Sequence, residues 1–218
     1  MERNSGYFIT LEGGEGCGKT SHVPGLADRL RERDLVVFPT REPGGTSIGE
    51  QIREVLHNMK NKEMHPRTET LLFQAARVQF VEEVLRPKID LSEIVISDRY
   101  ADSTLAYQGY GHRQDVQELL GIIIYATGGL VPDLTVLLDV DVEIGLARKR
   151  SSSEWNRLDD YPPEFHHRVN EGYLEMAKKD PDRWVVINAN ETKGRVFDNL
   201  VEVVETKLEK AGILKRQN

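Results

Sequence analysis

Residues 13–20 read GGEGCGKT, which places Gly13, Gly18, Lys19 and Thr20 at the spacing of a phosphate-binding loop. The chemistry such a loop supports is the cradling of a nucleotide's phosphates. Glycines remove Cβ atoms so that successive backbone N–H groups can curl around phosphate oxygens, and a helix starting after Gly18 would add its positive end. Lys19 can reach the β- and γ-phosphates and the Thr20 hydroxyl can ligate Mg²⁺, so ATP and Mg²⁺ are the expected cofactors. The expected nucleotide-binding segment is then Gly13, Gly14, Glu15, Gly16, Cys17, Gly18, Lys19, Thr20 and Ser21, with Cys17 as a small filler inside it. Asp98 closes the apolar run IVISD, where a strand-end aspartate could hold the metal together with Thr20. Arginines follow the same logic: Arg41 in TREPGG, Arg99 in SDRY, and Arg148, Arg150 and Arg157 in or beside the polar window 149–160. Carboxyl ends of parallel strands are where anionic substrates bind, and bidentate guanidinium groups suit them.

The elements that must position these residues alternate between two periodicities. Near-continuous apolar runs at 7–11, 35–39, 94–97, 134–140 and 184–187 read as strands buried on both faces. Segments with helical spacing lie between them, at 21–33, 48–57, 68–89, 116–127, 142–150, 163–178 and 195–211. This alternation predicts an α/β fold, a parallel sheet with right-handed crossovers and helices on both faces. The phosphate loop falls between the first strand and the first helix, as the motif requires. The window KRSSSEWNRLDD at 149–160 reads as either a solvated linker or a mobile lid.

Composition narrows the function. The 218 residues, 39% of them apolar, fit one domain spanning 1–218. A net charge of −7 disfavours nucleic acid or an anionic membrane as the main partner. No window approaches a membrane span and a single cysteine fits a reducing compartment, so a cytoplasmic protein is expected. A phosphate loop alone leaves GTPases, motor ATPases and small-molecule kinases open. No Asn-Lys-x-Asp string specifies guanine, and the arginines near the strand ends favour a kinase. His112, His166 and His167 lack a zinc-like spacing and read as surface residues.

Several longer strings carry a resemblance. EGGEGCGKT, TREPGGT at 40–46, LLFQAARVQ at 71–79, SDRYADSTLAYQGYG at 97–111, PDLTVLLDV at 132–140 and NRLDD at 156–160 together resemble the thymidylate kinase family, bacterial type, over nearly the whole chain. The resemblance implies a three-layer αβα phosphate-loop kinase with a five-stranded parallel sheet and a short mobile lid at about 148–160. It implies transfer of the γ-phosphoryl group of MgATP to dTMP by a homodimer, with another nucleotide or nucleoside kinase, or a nucleotide-binding regulatory module, as alternatives. Taken singly, Phe73 and Tyr107 read as core residues, and Arg53, Arg77 and Gln108 as solvated ones. By the resemblance, Phe73 stacks on thymine and Arg77 donates to its O4. Thr104 and Gln108 lie at the base's other polar edge, and Tyr107 lies near the sugar's 2′ carbon. Arg41, Arg53 and Arg99 hold the monophosphate or the pocket, with Glu15 near the 3′-hydroxyl and the metal. The catalytic set is Lys19, Glu15, Arg99 and a lid arginine. Some members carry that arginine in the phosphate loop, where this chain has Gly16. The charge is then expected from the lid, with Arg148 at the nucleotide and Arg157 as the preferred catalytic candidate.

Overall fold

The computed structural model describes residues 6–151 and 155–215. Five parallel strands, β1 (Tyr7–Glu12), β2 (Val37–Arg41), β3 (Ile94–Asp98), β4 (Leu134–Asp139) and β5 (Trp184–Asn188), lie in the order β2-β3-β1-β4-β5. The order reverses direction at β1, which pairs with β3 on one side and β4 on the other. That is the switch point beyond whose carboxyl end ligands bind in open α/β sheets. The expected three-layer αβα architecture is the one observed.

Helices cover both faces, which is why the strand runs are apolar without alternation. On one face, α1 (Lys19–Arg31) and α9 (Lys193–Lys210) bury Leu26, Leu30, Leu200 and Val204 against Ile9, Leu11 and Val136. On the other, α3 (Pro66–Phe80) and α8 (Pro163–Lys179) bring Phe80, Phe165 and Tyr173 against the sheet. The remaining helices are α2 (Ser47–His57), α4 (Arg86–Asp90), α5 (Ala101–Thr104), α6 (Val116–Thr127) and α7 (Val142–Arg150).

Three departures from the sequence reading have physical causes. The second strand lies two residues later than expected, because pairing with β3 carries it from Val37 opposite Ile94 to Arg41 opposite Asp98 and leaves Val36 exposed. The helix expected over 68–89 is interrupted by a π-helical stretch, Val81–Leu85, just before Pro87. A proline in a helix interior lacks the N–H and crowds the preceding turn, and a widened turn relieves both. A helical segment absent from the sequence reading, α5 continuing into the π-helical Leu105–Gly111, carries Thr104, Tyr107 and Gln108.

The polar window is non-helical from Trp155 onward, and residues 152–154, with two of its serines, lie outside the described residues. At the other end of this region α7 meets the phosphate loop backbone to backbone. A Cβ on Gly145 would lie 2.3 Å from the Glu15 carbonyl oxygen, and one on Gly16, whose φ is +66°, would lie 2.0 Å from the Gly145 carbonyl oxygen. The loop's position therefore depends on two residues without side chains. Gly145→Ala is expected to force the loop or α7 to shift, at a stability cost of about 1–3 kcal/mol, and to lower turnover. Thermal denaturation and a steady-state assay check this, and an unchanged midpoint together with unchanged turnover would show that the contact is not tight.

Candidate active site

The phosphate loop leaves β1 at Gly13 and ends at Gly18, whose φ of +101° starts α1. Apart from the turn over Glu15–Gly16, the N–H groups of residues 14 to 18 meet no backbone acceptor among the described residues. Buried or half-buried donors in such a row are costly unless a ligand accepts from them. Lys19 is buried and its Nζ donates to the Gly13 and Gly14 carbonyls at 3.0 and 2.9 Å and to Cys17 Sγ at 3.1 Å. The Thr20 hydroxyl donates to Asp98 Oδ2 at 2.6 Å, which joins the two expected metal ligands at the mouth of the loop. Hard oxygen donors of this kind, one hydroxyl and one carboxylate, fit Mg²⁺ completed by water and phosphate. Ser21 caps back onto the Gly18 carbonyl.

Arg99 faces this loop from the end of β3. Its Nη1 donates to the Gly13 carbonyl at 3.0 Å and to the Tyr173 hydroxyl at 3.1 Å. Its Nη2 donates to Glu15 Oε1 and to the Tyr107 hydroxyl, both at 2.9 Å. The Tyr107 hydroxyl also donates to Glu15 Oε1 at 2.6 Å. Burial alone would raise the Glu15 carboxyl, but Arg99, Lys19 and the Tyr107 hydroxyl outweigh it and hold the group well below the usual carboxylate range. Nε of Arg99 bonds to no described residue, so the guanidinium keeps a donor for an anion.

A second cluster lines the same cavity, of about 340 Å³, between α3 and the segment after β3. Arg77 is 1% exposed and every one of its N–H groups is committed. Nε and Nη2 meet Glu42 Oε2 at 2.8 and 2.7 Å, and Nη2 also donates to the Tyr100 carbonyl at 3.1 Å. Nη1 donates to Gln74 Oε1 at 3.1 Å and to Thr104 Oγ1 at 2.7 Å. Arg77 still borders the cavity, where donation to the base's O4 is expected of it, but Glu42, buried beside it, draws the fork onto the pocket wall, so each of its N–H groups already has a partner within the protein. Thr104 Oγ1 accepts from both Gln74 Nε2 at 3.0 Å and Arg77, which fills its lone pairs and leaves its own proton as the donor not yet spent. Phe73 and Gln108 both border the cavity, and Gln108 Nε2 donates to Glu69 Oε1 at 2.8 Å. Arg53 donates to the Pro43 carbonyl at 2.9 Å, and Arg41, about half exposed, pairs with Glu50 at 3.1 Å at the rim.

The lid arginines differ from expectation. Arg157 is 3% exposed and does not border the cavity. Its Nε donates to the Leu56 carbonyl at 2.8 Å, its Nη1 to the Tyr161 hydroxyl at 2.8 Å, and its Nη2 lies 2.6 Å from Glu69 Oε2. A buried carboxylate that needs a counter-charge holds it away from the phosphate loop. Arg148 does border the cavity and donates to the Ala189 carbonyl at 2.9 Å, whereas Arg150 packs on the Trp155 ring, 5.5 Å from its centroid. Lys149, not singled out in the sequence, also lines the cavity, with its Nζ 3.9 Å from Asp159. Asp159 is buried, and its carboxyl is pushed up by that burial and by the Glu15 carboxylate.

Two of the histidines are not surface residues. His166 is 4% exposed, and the His112 ring lies edge-on to Tyr161 and Phe165 with Nε2 3.2 Å from Glu69 Oε1. Only His167, half exposed beside Glu143, matches the expectation. Their apolar neighbours in helical register, Phe165 and Val169, are the signal that places α8's inner face there.

These features find their counterpart in known proteins. A sequence profile described as Thymidylate kinase matches residues 11–200. The chain belongs to the thymidylate kinase family. The thymidylate kinase of Roseiflexus castenholzii is 46% identical over 211 residues, covering 91% of this chain and 92% of that one. That of Bacillus cereus strain ATCC 10987 is 42% identical over 205 residues, covering 93% and 99%. Among solved structures, the thymidylate kinase from Ehrlichia chaffeensis superposes with a TM-score of 0.73 at 32% identity, over 91% of this chain and 98% of that one.

Residues that sequence reasoning passed over include Glu12, Glu42, Glu69, Gln74, Ser103 and Tyr173. An acid, amide or hydroxyl in a helix or near a strand end reads as solvated until packing buries it. Glu69 is the clearest case: it is fully buried and joins α3 to Gln108, His112, Tyr161 and Arg157. Burial would raise its carboxyl, but His112, Arg157 and Gln108 outweigh that and hold it down at about 2. The unfolded carboxyl binds its proton at higher pH than the folded one, so this contribution is present above ~4.5 and lost as pH falls toward 2. Glu69→Gln is therefore expected to cost about 3 kcal/mol at neutral pH, with the difference from wild type shrinking below pH ~4. Urea denaturation across that range checks it, and a difference independent of pH would contradict it.

Proposed function

We propose that the chain transfers the γ-phosphoryl group of ATP to dTMP, giving dTDP, and so feeds dTTP synthesis. Family membership supports the reaction, and one observation carries its placement. Lys19 Nζ and Arg99 Nη1 both donate to the Gly13 carbonyl, each at 3.0 Å, so the cations for two anions stand side by side at the phosphate loop.

The chemistry follows from charge. The second ionisation of a monophosphate lies near 6, so its attacking oxygen is already anionic at neutral pH and no general base is required. What remains is positioning and neutralisation. On this reading, Lys19 and the backbone of residues 14 to 20 hold the donor's phosphates, with Arg148 at the nucleotide. Thr20 and Asp98 hold Mg²⁺, which supplies charge neutralisation between the two phosphates. Arg99 holds the acceptor's phosphate through its unspent Nε–H, with Arg53 and Arg41 nearer the rim. Glu15 and Tyr107, already joined to Arg99, face the sugar, Glu15 accepting from the 3′-hydroxyl and Tyr107 crowding a 2′-hydroxyl. Phe73 lies against the base, and the Thr104 proton, oriented by Arg77 and Gln74, meets a keto oxygen. Lys149 and Arg148 are the lid-side cations that reach the cavity as the chain stands.

A second copy of the chain is the proposed partner in solution. α3 and α6 are neighbours, and they expose Leu71, Val78, Ile124 and Tyr125 on the surface away from the sheet. Light scattering is expected to give twice the chain mass, and Tyr125→Glu to shift it toward one chain; a wild-type monomer at micromolar concentration would contradict this. No helix among the described residues is long and apolar enough to cross a membrane. That, with the one cysteine, supports the cytoplasm as its compartment.

A coupled assay with MgATP across dTMP, dUMP, dCMP, dGMP and thymidine tests the function. A keto group facing a committed donor favours thymine and uracil. Cytosine's amino group would leave two donors opposed, a mismatch worth up to ~10⁴-fold, against ~10–200-fold for the thymine methyl. The expected order is dTMP, then dUMP, with dCMP and dGMP nearly inert. Equal rates on dCMP or a purine monophosphate would overturn both the pocket assignment and the function.

A further inference from the structure

Glu12, the last residue of β1, is fully buried and does not line the cavity, yet two hydroxyls link it to Arg99, which does. Its Oε1 accepts the Tyr100 N–H at 2.8 Å, and its Oε2 accepts from the Ser103 hydroxyl at 2.6 Å and the Tyr173 hydroxyl at 2.9 Å. Both hydroxyl oxygens in turn accept from Arg99 Nη1, at 3.3 and 3.1 Å. The Tyr100 N–H belongs to the peptide directly after Arg99, whose φ of +73° is a left-handed conformation that an arginine adopts at a cost. The same turn is tied by the Arg99 N–H to the Leu11 carbonyl at 3.0 Å and by the Ser97 hydroxyl to the Arg99 carbonyl at 2.7 Å.

The polarity of this network matters more than its number of bonds. The Ser103 and Tyr173 hydroxyls also lie 2.8 Å apart, where either can donate to the other, and a hydroxyl whose proton goes to the carboxylate or to its neighbour presents its lone pairs to the guanidinium. A carboxamide offers one acceptor oxygen where the carboxylate offers two, and its NH₂ would face hydroxyls that must then turn round. Reversed hydroxyls would point O–H groups at Arg99.

We propose that Glu12 is a positioning residue for the acceptor phosphate: it fixes the backbone turn and the hydroxyl directions that aim the Arg99 guanidinium into the cavity. This rests on Arg99 as the group that meets that phosphate. Burial and the neighbouring Asp102 push the Glu12 carboxyl up to about 7.

The test is a kinetic double-mutant cycle on the full chain with dTMP and MgATP. Glu12→Gln is expected to raise the dTMP KM ~10-fold, the scale of losing oriented hydrogen bonds to a charged group, while the ATP KM stays within about twofold. In an Arg99→Lys background the same change is expected to have almost no further effect on the dTMP KM. If Glu12→Gln does not fold, Ser103→Ala with Tyr173→Phe cuts the links while leaving Glu12 in place, and it is expected to reproduce the dTMP-selective loss. A loss shared equally by both substrates, or effects of the two changes that simply add, would overturn the proposal. Arg99→Lys alone leaving the dTMP KM unchanged would instead overturn the reading of Arg99 on which it rests.

Discussion

A guanidinium largely removed from water must be surrounded by acceptors, and the partial burial of Arg99 imposes that demand on three separate elements. The phosphate loop supplies the Gly13 carbonyl and Glu15, the segment after β3 supplies Ser103 and Tyr107, and α8 supplies Tyr173. Because the strand order reverses at β1, all three meet beyond the same edge of the sheet. The donor loop and the acceptor pocket are thus parts of one hydrogen-bonded body. A kinase that must bring two polyanions within bonding distance gains from this, since neither cation has to be reorganised when the second substrate arrives.

Glu69 does for the outer half of the pocket what Glu12 and Glu15 do for the inner half. It is a buried carboxylate whose partners come from the π-helical stretch, from the lid and from Tyr161. The consequence is that Arg157 serves the architecture. Of the cations in and beside the polar window, Arg148 and Lys149 border the cavity and Arg157 does not.

The fold was legible in the sequence because a doubly covered sheet leaves a simple trace: five apolar runs separated by amphipathic segments. The phosphate loop was legible for a different reason, since glycines at fixed spacing before a lysine have few other uses. Arg77 and Arg157 show where legibility stops. Sequence identifies an arginine but not the carboxylate that burial will set beside it, and Glu42 and Glu69 decide where those two guanidinium groups point. The segment 101–111 escaped notice as a helix because its two glycines and scattered aromatics lack a helical stripe. Its π-helical turns place Tyr107 and Gln108 through packing on α8 rather than through local preference.

Whether Arg99 meets the phosphate of the acceptor is decided by calorimetry with dTMP and thymidine on wild-type and Arg99→Met protein. The two ligands differ only in that phosphate. Wild type is expected to bind dTMP far more tightly than thymidine, and the substitution is expected to remove most of this difference while leaving thymidine binding nearly unchanged. A preference for dTMP that survives the substitution, or an equal loss for both ligands, would contradict it.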